Sequence, residues 1–178
     1  NCMLTLNGKK IFLRALEPED LDFVHEIENN ENFWEVSSTQ TPYSKFLIRQ
    51  YIENAHRDIY DIKQLRLVIC TKRGRAVGLI DVFDLDIKDQ RAALGILIAD
   101  PKDRKKGYGR ESLSLLCNFC FTHLGLHQVY ANVTEGNEDS KKVFEKNGFR
   151  KVGLKKEWSL HNGVYKDELL YQLINDVH

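Results

Sequence analysis

The stretch AALGILIADPKDRKKGYG spans residues 92–109. Residues 92–98 are nearly all apolar, which is typical of a central strand covered on both faces. Gly107 and Gly109 follow, and after them apolar residues recur at a spacing of about 3.6, as on one face of a helix. That face comprises Leu113, Leu116, Cys117, Cys120, Phe121 and Leu124. The stretch therefore predicts a central strand, a glycine-rich turn and a helix.

The turn is rich in cations. Arg104, Lys105, Lys106 and Arg110 fall within seven residues of a chain whose formal net charge is zero. Backbone N–H groups at such a turn approach a phosphate closely, and the helix N-terminus adds partial positive charge. We expect an anion site here, for a group such as a pyrophosphate. The alternative is a solvated basic loop in which glycine serves the turn.

Upstream of the turn, residues 65–70 and 76–83 are β-rich and flank a turn at 72–75, so they predict an antiparallel hairpin. Residues 10–16 predict a further strand. Pro18 then opens a helix that ends near residues 29–30. A loop over 31–43 leads to a second helix, which contains Phe46, Leu47, Tyr51 and Ile52.

Downstream, residues 129–133 predict a strand and residues 140–146 a helix that stops at Asn147-Gly148. The β-prone runs 149–160 and 164–174 flank Asn162-Gly163, which is a strong hairpin signal. The predicted fold class is α/β, with a central mixed, mostly antiparallel sheet flanked by helices.

Length and composition limit the functional classes. We expect one domain over residues 1–178, with 42% hydrophobic and 29% charged residues. The 26 basic and 26 acidic residues give no net positive field for nucleic acid or an anionic membrane. No apolar run approaches the roughly 20 residues that cross a bilayer, and residues 1–5 lack a signal pattern, so we expect a cytoplasmic protein.

Cys117 and Cys120 form the one close cysteine pair among Cys2, Cys70, Cys117 and Cys120. Half of a zinc or redox motif has this spacing, but no second pair or histidine cluster accompanies it. Both residues fall on the apolar helix face. We therefore expect buried thiols and no metal.

The glycine turn resembles a known motif. Arg104-x-x-Gly107-x-Gly109, between an apolar strand and a helix, is similar to the acyl-CoA pyrophosphate motif Q/R-x-x-G-x-G/A of the GNAT superfamily of N-acetyltransferases. Residues 137–149, NEDSKKVFEKNGF, resemble that family's N-x-x-[SA]-x-x-x-[YF]-x-K-x-G-F segment. The resemblance covers nearly the whole chain and is nearest to the spermidine and ribosomal-protein N-acetyltransferases. It implies a single-domain GNAT-like fold.

The resemblance also implies acetyl transfer from acetyl-CoA to an amine of a small molecule or a peptide. The pantetheine arm would bind the backbone of Leu97, Ile98 and Ala99. The pyrophosphate would rest on the amides of residues 106–110, with Arg104 beside it. The remaining cofactor-binding positions are Asn137 and Ser140. The residues whose backbone amides would hold the pyrophosphate are Lys106, Gly107, Tyr108, Gly109 and Arg110.

Catalysis requires a base for the amine and a proton for the leaving thiolate. For the base we favour Asp81, with Glu135 second. Phe144 stands where many members of the family carry Tyr, whose hydroxyl protonates the thiolate. Tyr130 or Tyr108 substitutes in one interpretation; in another, the thiolate leaves unaided and Phe144 packs in the core.

The acceptor side is harder to interpret. The subgroup often has acidic residues just before the equivalent of Pro42, but this chain has Thr39-Gln40-Thr41, which argues against a polyamine. Phe33, Trp34, Glu35 and Tyr43 either line an acceptor pocket or pack in the core.

Two other functions are compatible with the sequence. One alternative is a GNAT-like module that binds CoA with little or no turnover. A nucleotide-phosphate enzyme is another, although the chain lacks both the G-x-G-x-x-G and the G-K-[ST] motifs. We also expect the edge strand of the C-terminal hairpin to pair with a second copy in a homodimer.

Overall fold

A computed structural model describes residues 6–30, 33, 42–55 and 57–176. Its sheet contains seven strands in the order β1-β2-β3-β4-β5-β7-β6. β4 and β5 are parallel, and the other neighbours are antiparallel. The predicted central strand and both predicted hairpins are confirmed, as is the mixed α/β fold class. The strands are β1 (Ile11–Ala15), β2 (Leu65–Thr71), β3 (Ala76–Asp86), β4 (Arg91–Ile98), β5 (Gln128–Thr134), β6 (Arg150–His161) and β7 (Val164–Ile174).

Five helices flank the sheet: α1 (Leu21–Glu28), α2 (Lys45–Asn54), α3 (Ile59–Ile62), α4 (Tyr108–Thr122) and α5 (Glu138–Lys146). Four of them follow the predicted pattern. The short α3 was not predicted; it begins where the Asp58 carboxylate accepts the Tyr60 N–H at 2.8 Å. None of the helices in the described ranges has the length and apolarity needed to span a bilayer.

The two faces of the sheet are covered by different helices. Alternate residues of a strand point to opposite faces. Ile80 and Val82 of β3 accordingly pack with α4, while Leu79 packs with α1 and α2. In α2, Ile48 and Ile52 are buried, whereas Phe46 and Leu47 are exposed.

The cysteines of α4 belong to this core. Cys117 and Cys120 are both buried and unbonded. Burial raises the pKa of both thiols, that of Cys120 to about 12. The interpretation as core thiols is confirmed. Among the described residues, no group of three or more His, Cys, Asp or Glu side chains is arranged to hold a metal ion.

A bulge interrupts β3 near its end. Its pairing with β4 shifts between Phe83↔Ala93 and Asp86↔Arg91. Val82 and Leu85 lie in the same buried cluster although they are three residues apart. The extra residue therefore places Phe83 and Asp84 together on the other face, and Asp84 adopts a φ of 50°.

Candidate active site

The site begins where β4 and β5 separate. These strands pair only from Arg91↔Gln128 to Ala93↔Tyr130. Beyond that point β4 remains paired with β3, and β5 with β7. Residues 94–97 and 132–134 then line a cleft of about 800 Å³, which α1, α2 and α5 also border. The fork leaves backbone groups of β4 available to a ligand.

Three residues of β4 and its end were predicted to bind pantetheine through their backbone. The Ala99 N–H donates to the Val77 carbonyl of β3 at 2.9 Å. The Leu97 carbonyl also faces β3, since a Cβ added at Gly78 would lie 2.3 Å from its oxygen. Backbone direction alternates along an antiparallel pair, so the backbone N–H and C=O of Ile98 point away from β3, to the side on which β5 has separated; Ile98 is not among the residues that line the cleft. Leu97 contributes its side chain to the cleft.

The glycine turn lies beside this strand. Gly107 is the N-cap of α4 with a φ of 84°, and Lys105 has a φ of 62°. A Cβ added at Gly109 would lie 3.5 Å from Ile96 Cδ1 and 3.6 Å from Val143 Cγ2. The first turn of α4 is therefore packed between β4 and α5. Its N–H groups at residues 108–110 have no acceptor within the helix, as at any helix start.

The buried carboxylate of Asp103 anchors the loop that precedes α4. Asp103 accepts hydrogen bonds from both terminal nitrogens of Arg75, each at 2.9 Å. The Lys106 ammonium lies 3.5 Å from the same carboxylate. The hydrogen bonds from Arg75 hold the pKa of Asp103 below its usual value. Sequence reasoning missed both Arg75 and Asp103, because nothing in their local pattern distinguishes them from other charged turn residues.

Strand β1 reaches the same loop. Lys10 Nζ donates to the Lys106 carbonyl at 3.1 Å. The backbone N–H groups of Lys10 and Ile11 donate to Glu111 Oε1 in the first turn of α4, at 2.8 and 3.1 Å. Lys10 thus adds a cation to the four predicted from the turn. It lies far away in the sequence, so spacing could not reveal it.

Helix α5 forms another wall. Asn137 caps the helix by accepting the Ser140 N–H at 3.3 Å, and both residues line the cleft. Phe144 lies one turn after Ser140 and also lines it. Its ring is 3% exposed and meets Phe149 edge-on at 5.0 Å. The core-packing interpretation of Phe144 is confirmed, and no phenol occupies this wall.

Where α1 borders β2 and β3, one guanidinium joins two carboxylates. Arg66 donates to Asp81 Oδ1 and Oδ2 at 2.8 and 2.9 Å, and to Glu28 Oε1 at 3.0 Å. Its guanidinium carbon lies 5.4 Å from the centre of the Tyr51 ring. Burial opposes the charge of Arg66, but Asp81, Tyr51 and Glu28 raise its pKa above the usual value. Asp81 therefore lies in the cleft with both oxygens occupied.

The other predicted catalytic residues lie elsewhere. Tyr130 is half-buried on β5 at the fork and does not line the cleft. Burial raises its pKa, and the charge of Asp84 adds to the effect. Glu135 is exposed beyond β5, where its N–H donates to the Asp167 carbonyl at 2.9 Å. Tyr108 begins α4, with the Lys106 ammonium 6.0 Å from its ring centre.

The residues predicted to line an acceptor pocket or to pack in the core separate into two groups. Phe33 is buried in the core with α1 and α2, whereas Tyr43 lines the cleft. Trp34, Glu35 and the segment Thr39-Gln40-Thr41 lie outside the described residues.

Comparison with known proteins agrees with this geometry. Residues 10–150 match the acetyltransferase (GNAT) domain model. The chain is 30% identical to the spermidine N(1)-acetyltransferase of Vibrio cholerae over 163 residues, 90% of each chain. It is 29% identical to that of Escherichia coli K12 over 167 residues, 92% of this chain and 85% of the other.

Solved structures agree as well. The Vibrio cholerae spermidine N-acetyltransferase in complex with CoA and spermine superposes with a TM-score of 0.82 at 28% identity, covering 94% of this chain and 96% of the other. A structure described as a probable acetyltransferase gives a TM-score of 0.84 at 25% identity, with 98% and 96% covered.

Proposed function

The chain belongs to the acetyltransferase (GNAT) family, and we propose that its acceptor is a linear aliphatic amine with more than one amino group. It is an N-acetyltransferase that uses acetyl-CoA as co-substrate. Relatives that act on spermidine, at 29% and 30% identity, support the acceptor class.

The charge of the cleft carries the proposal. Three carboxylates line it, those of Glu28, Asp81 and Asp84, and Arg66 is the one Lys or Arg beside them in the described lining. Three negative charges and one positive charge give a formal charge of minus two in a chain that is neutral overall. Such a cleft attracts cations. It supplies acidic groups that Thr39-Gln40-Thr41 lacks.

The apolar part of the lining suits a methylene chain. Leu47, Phe83, Leu94 and Phe144 contribute hydrophobic surface to the same cleft. A linear amine alternates methylene groups with ammonium groups, so it matches walls that combine carboxylates with apolar side chains.

For the cofactor side, we propose that the Ile98 backbone binds the pantetheine arm, flanked by Leu97 and Ala99. The amides of Lys106, Gly107, Tyr108, Gly109 and Arg110 would hold the pyrophosphate, with Arg104 and Lys10 as nearby cations. Asn137 and Ser140 would contact the cofactor from α5. The unsatisfied N–H groups at the start of α4 support this placement.

In the reaction, the neutral amine nitrogen attacks the thioester carbonyl carbon, the C–N bond forms and the C–S bond breaks. An alkyl ammonium with a pKa of about 10.4 must first lose a proton. We propose that water in the cleft takes it, because both Asp81 oxygens bind Arg66. A thiol pKa of about 8.5 makes the thiolate a fair leaving group. The Ser140 hydroxyl lies one turn from Phe144. We propose that it donates a hydrogen bond to the departing thiolate, which then takes its proton from water.

An acceptor screen tests the function. Thiol release from acetyl-CoA is measured with spermidine, spermine, putrescine, monoamines and a peptide with a free N-terminus. We expect release with the polyamines, together with a mono-acetylated product by mass spectrometry. Thermal stabilisation by CoA without thiol release on any amine would instead establish the binding-module alternative.

A homodimer is the proposed assembly of this domain, residues 1–178. β6 is an edge strand, and large apolar side chains of the β6–β7 hairpin are exposed. An edge with this composition is a template for pairing with a second copy. The exposed set comprises Val152, Leu154, Trp158, Leu160, Val164 and Tyr165.

A further inference from the structure

Asp84 differs from the other carboxylates of the cleft in having no partner. Asp81 and Glu28 both bind Arg66. Asp84 lines the same cleft but forms no hydrogen bond or ion pair with any residue that the structure describes. Its carboxylate is exposed and therefore available to a ligand.

The bulge in β3 puts Asp84 in this position. Without the extra residue, strand alternation would direct one of Phe83 and Asp84 toward the core. With it, Val82 and Leu85 fill the core, and Phe83 and Asp84 both line the cleft. Asp is one of the few residue types that adopts a φ of 50° readily.

Asp84 also lies close to the fork. Tyr130 belongs to the last paired position of β4 and β5, and Asp84 contributes to the raised pKa of its phenol. Gly95 and Asn132, one from each diverging strand, line the cleft with Asp84. The Asp84 carboxylate thus lies near the point where β4 and β5 separate.

A carboxylate favours the charged form of a nearby amine. Placed beside the reacting nitrogen, Asp84 would oppose the proton loss that the reaction needs. Placed beside a second amino group of the same acceptor, it would strengthen binding without that penalty. We propose that Asp84 binds a non-reacting ammonium group of the acceptor and so makes the enzyme prefer diamines to monoamines. The proposal rests on the proposed function.

The charges around Asp84 decide on which side that ammonium binds. On its far side Asp84 borders a second cavity of about 630 Å³, which Asp86, Lys63 and Lys88 also line. Asp86 is already paired with Arg91 at 3.3 Å. The two lysines oppose a cation in that cavity. The ammonium therefore binds on the side of the main cleft, where carboxylates are in excess.

The test compares putrescine with n-butylamine, which have carbon chains of equal length but two and one amino groups. kcat/KM for each is measured by thiol release with wild type, Asp84→Asn and Glu53→Gln. Glu53 is an exposed carboxylate on α2 outside the cleft. We expect Asp84→Asn to lower the putrescine to n-butylamine ratio about tenfold through KM, as for loss of one charge-assisted hydrogen bond. Glu53→Gln should leave the ratio unchanged.

An unchanged putrescine to n-butylamine ratio in Asp84→Asn would overturn the proposal, even if kcat/KM fell by the same factor with both amines. A binding measurement separates this from failure of the proposed function. With CoA present, putrescine should raise the wild-type Tm more than n-butylamine does, and Asp84→Asn should abolish the difference. That result without any thiol release would retain the ammonium site and reject the transfer to polyamines. Asp84→Gly, which suits the same φ, replaces the Asn variant if that fails to fold.

Discussion

Arg66 binds both carboxylate oxygens of Asp81, at 2.8 and 2.9 Å, while also binding Glu28. The Arg66 and Asp81 side chains are 19% and 21% exposed, so the pair is largely shielded from water. Because Asp81 is committed to Arg66, we expect Asp81→Asn to leave the shape of the pH profile of kcat/KM unchanged. We expect it to lower the free energy of unfolding by about 2 kcal/mol.

Denaturant unfolding and pH-rate profiles check this prediction. Glu28→Gln removes one hydrogen-bonding carboxylate instead of a bidentate one, and should cost less stability. Disappearance of the acid limb in Asp81→Asn would restore Asp81 as the base.

Gly107 requires a left-handed backbone, and a Cβ there would lie 3.1 Å from Lys10 Nζ. We expect Gly107→Ala to lower stability by about 1–2 kcal/mol and to raise KM for acetyl-CoA. Gly125 provides the matched control, with a φ of 64° and no neighbouring atom within 4 Å of the added Cβ. Gly125→Ala should cost similar stability and leave KM unchanged. Equal KM values in both variants would argue against the glycine turn as the cofactor site.

The pKa of Asp103 lies below its usual value of 3.8 because Arg75 stabilises the carboxylate. The stabilisation is therefore complete above about that pH and declines as the pH falls through the lowered pKa. We expect the free energy of unfolding of wild type to exceed that of Asp103→Asn at about pH 5 to 7, where the carboxylate is ionised. The difference should shrink below about pH 4. Denaturation at a series of pH values measures it, and a difference that grows on acidification would contradict the assignment.

Phe144 offers no proton to a leaving thiolate. Phe144→Tyr would place a phenol in a wall of the cleft, one turn from Ser140. General acid catalysis contributes roughly 100-fold or more where it operates, so we expect kcat to rise when departure of the thiolate limits the rate. Ser140→Ala should lower kcat in wild type and have less effect in the Phe144→Tyr background. A fall of kcat in Phe144→Tyr with unchanged Tm would contradict this assignment.

Leu160 is 61% exposed on the edge strand β6. If the hairpin joins two copies, Leu160→Lys should shift the protein from dimer to monomer in sedimentation velocity. Ile87→Lys changes an equally large side chain that is 53% exposed outside the hairpin, and should leave the mass unchanged. A monomeric wild type would reject the homodimer.

Sequence patterns predicted those elements that bury one face. The apolar stripe of α4 is the stripe found in the core, and Asn162 and Gly163 both have the positive φ that a tight hairpin needs. Hydrophobic periodicity reflects which face of an element is buried, and turn residues reflect the local φ. Both properties can therefore be predicted from the sequence.

Ion pairs between distant segments leave no such trace. The Arg75–Asp103 pair, the contact of Lys10 with Lys106, and the binding of Glu28 by Arg66 depend on which strands become neighbours. Asp81 was predicted as a base from its strand position alone, and nothing in the local pattern indicated that Arg66 would bind its carboxylate. Asp84 was overlooked since a bulge of one residue does not disturb the apolar character of β3.

The fork between β4 and β5 gives the sheet an inner edge in addition to its outer ones. Unpaired strand groups at any edge are a template for non-native pairing. Here the template lies in the middle of the molecule, bordered by three helices instead of a neighbouring strand. A pantetheine arm that hydrogen-bonds Ile98 would act as a short substitute strand across it. Binding of the co-substrate would then cover this inner edge and stabilise the folded chain by mass action.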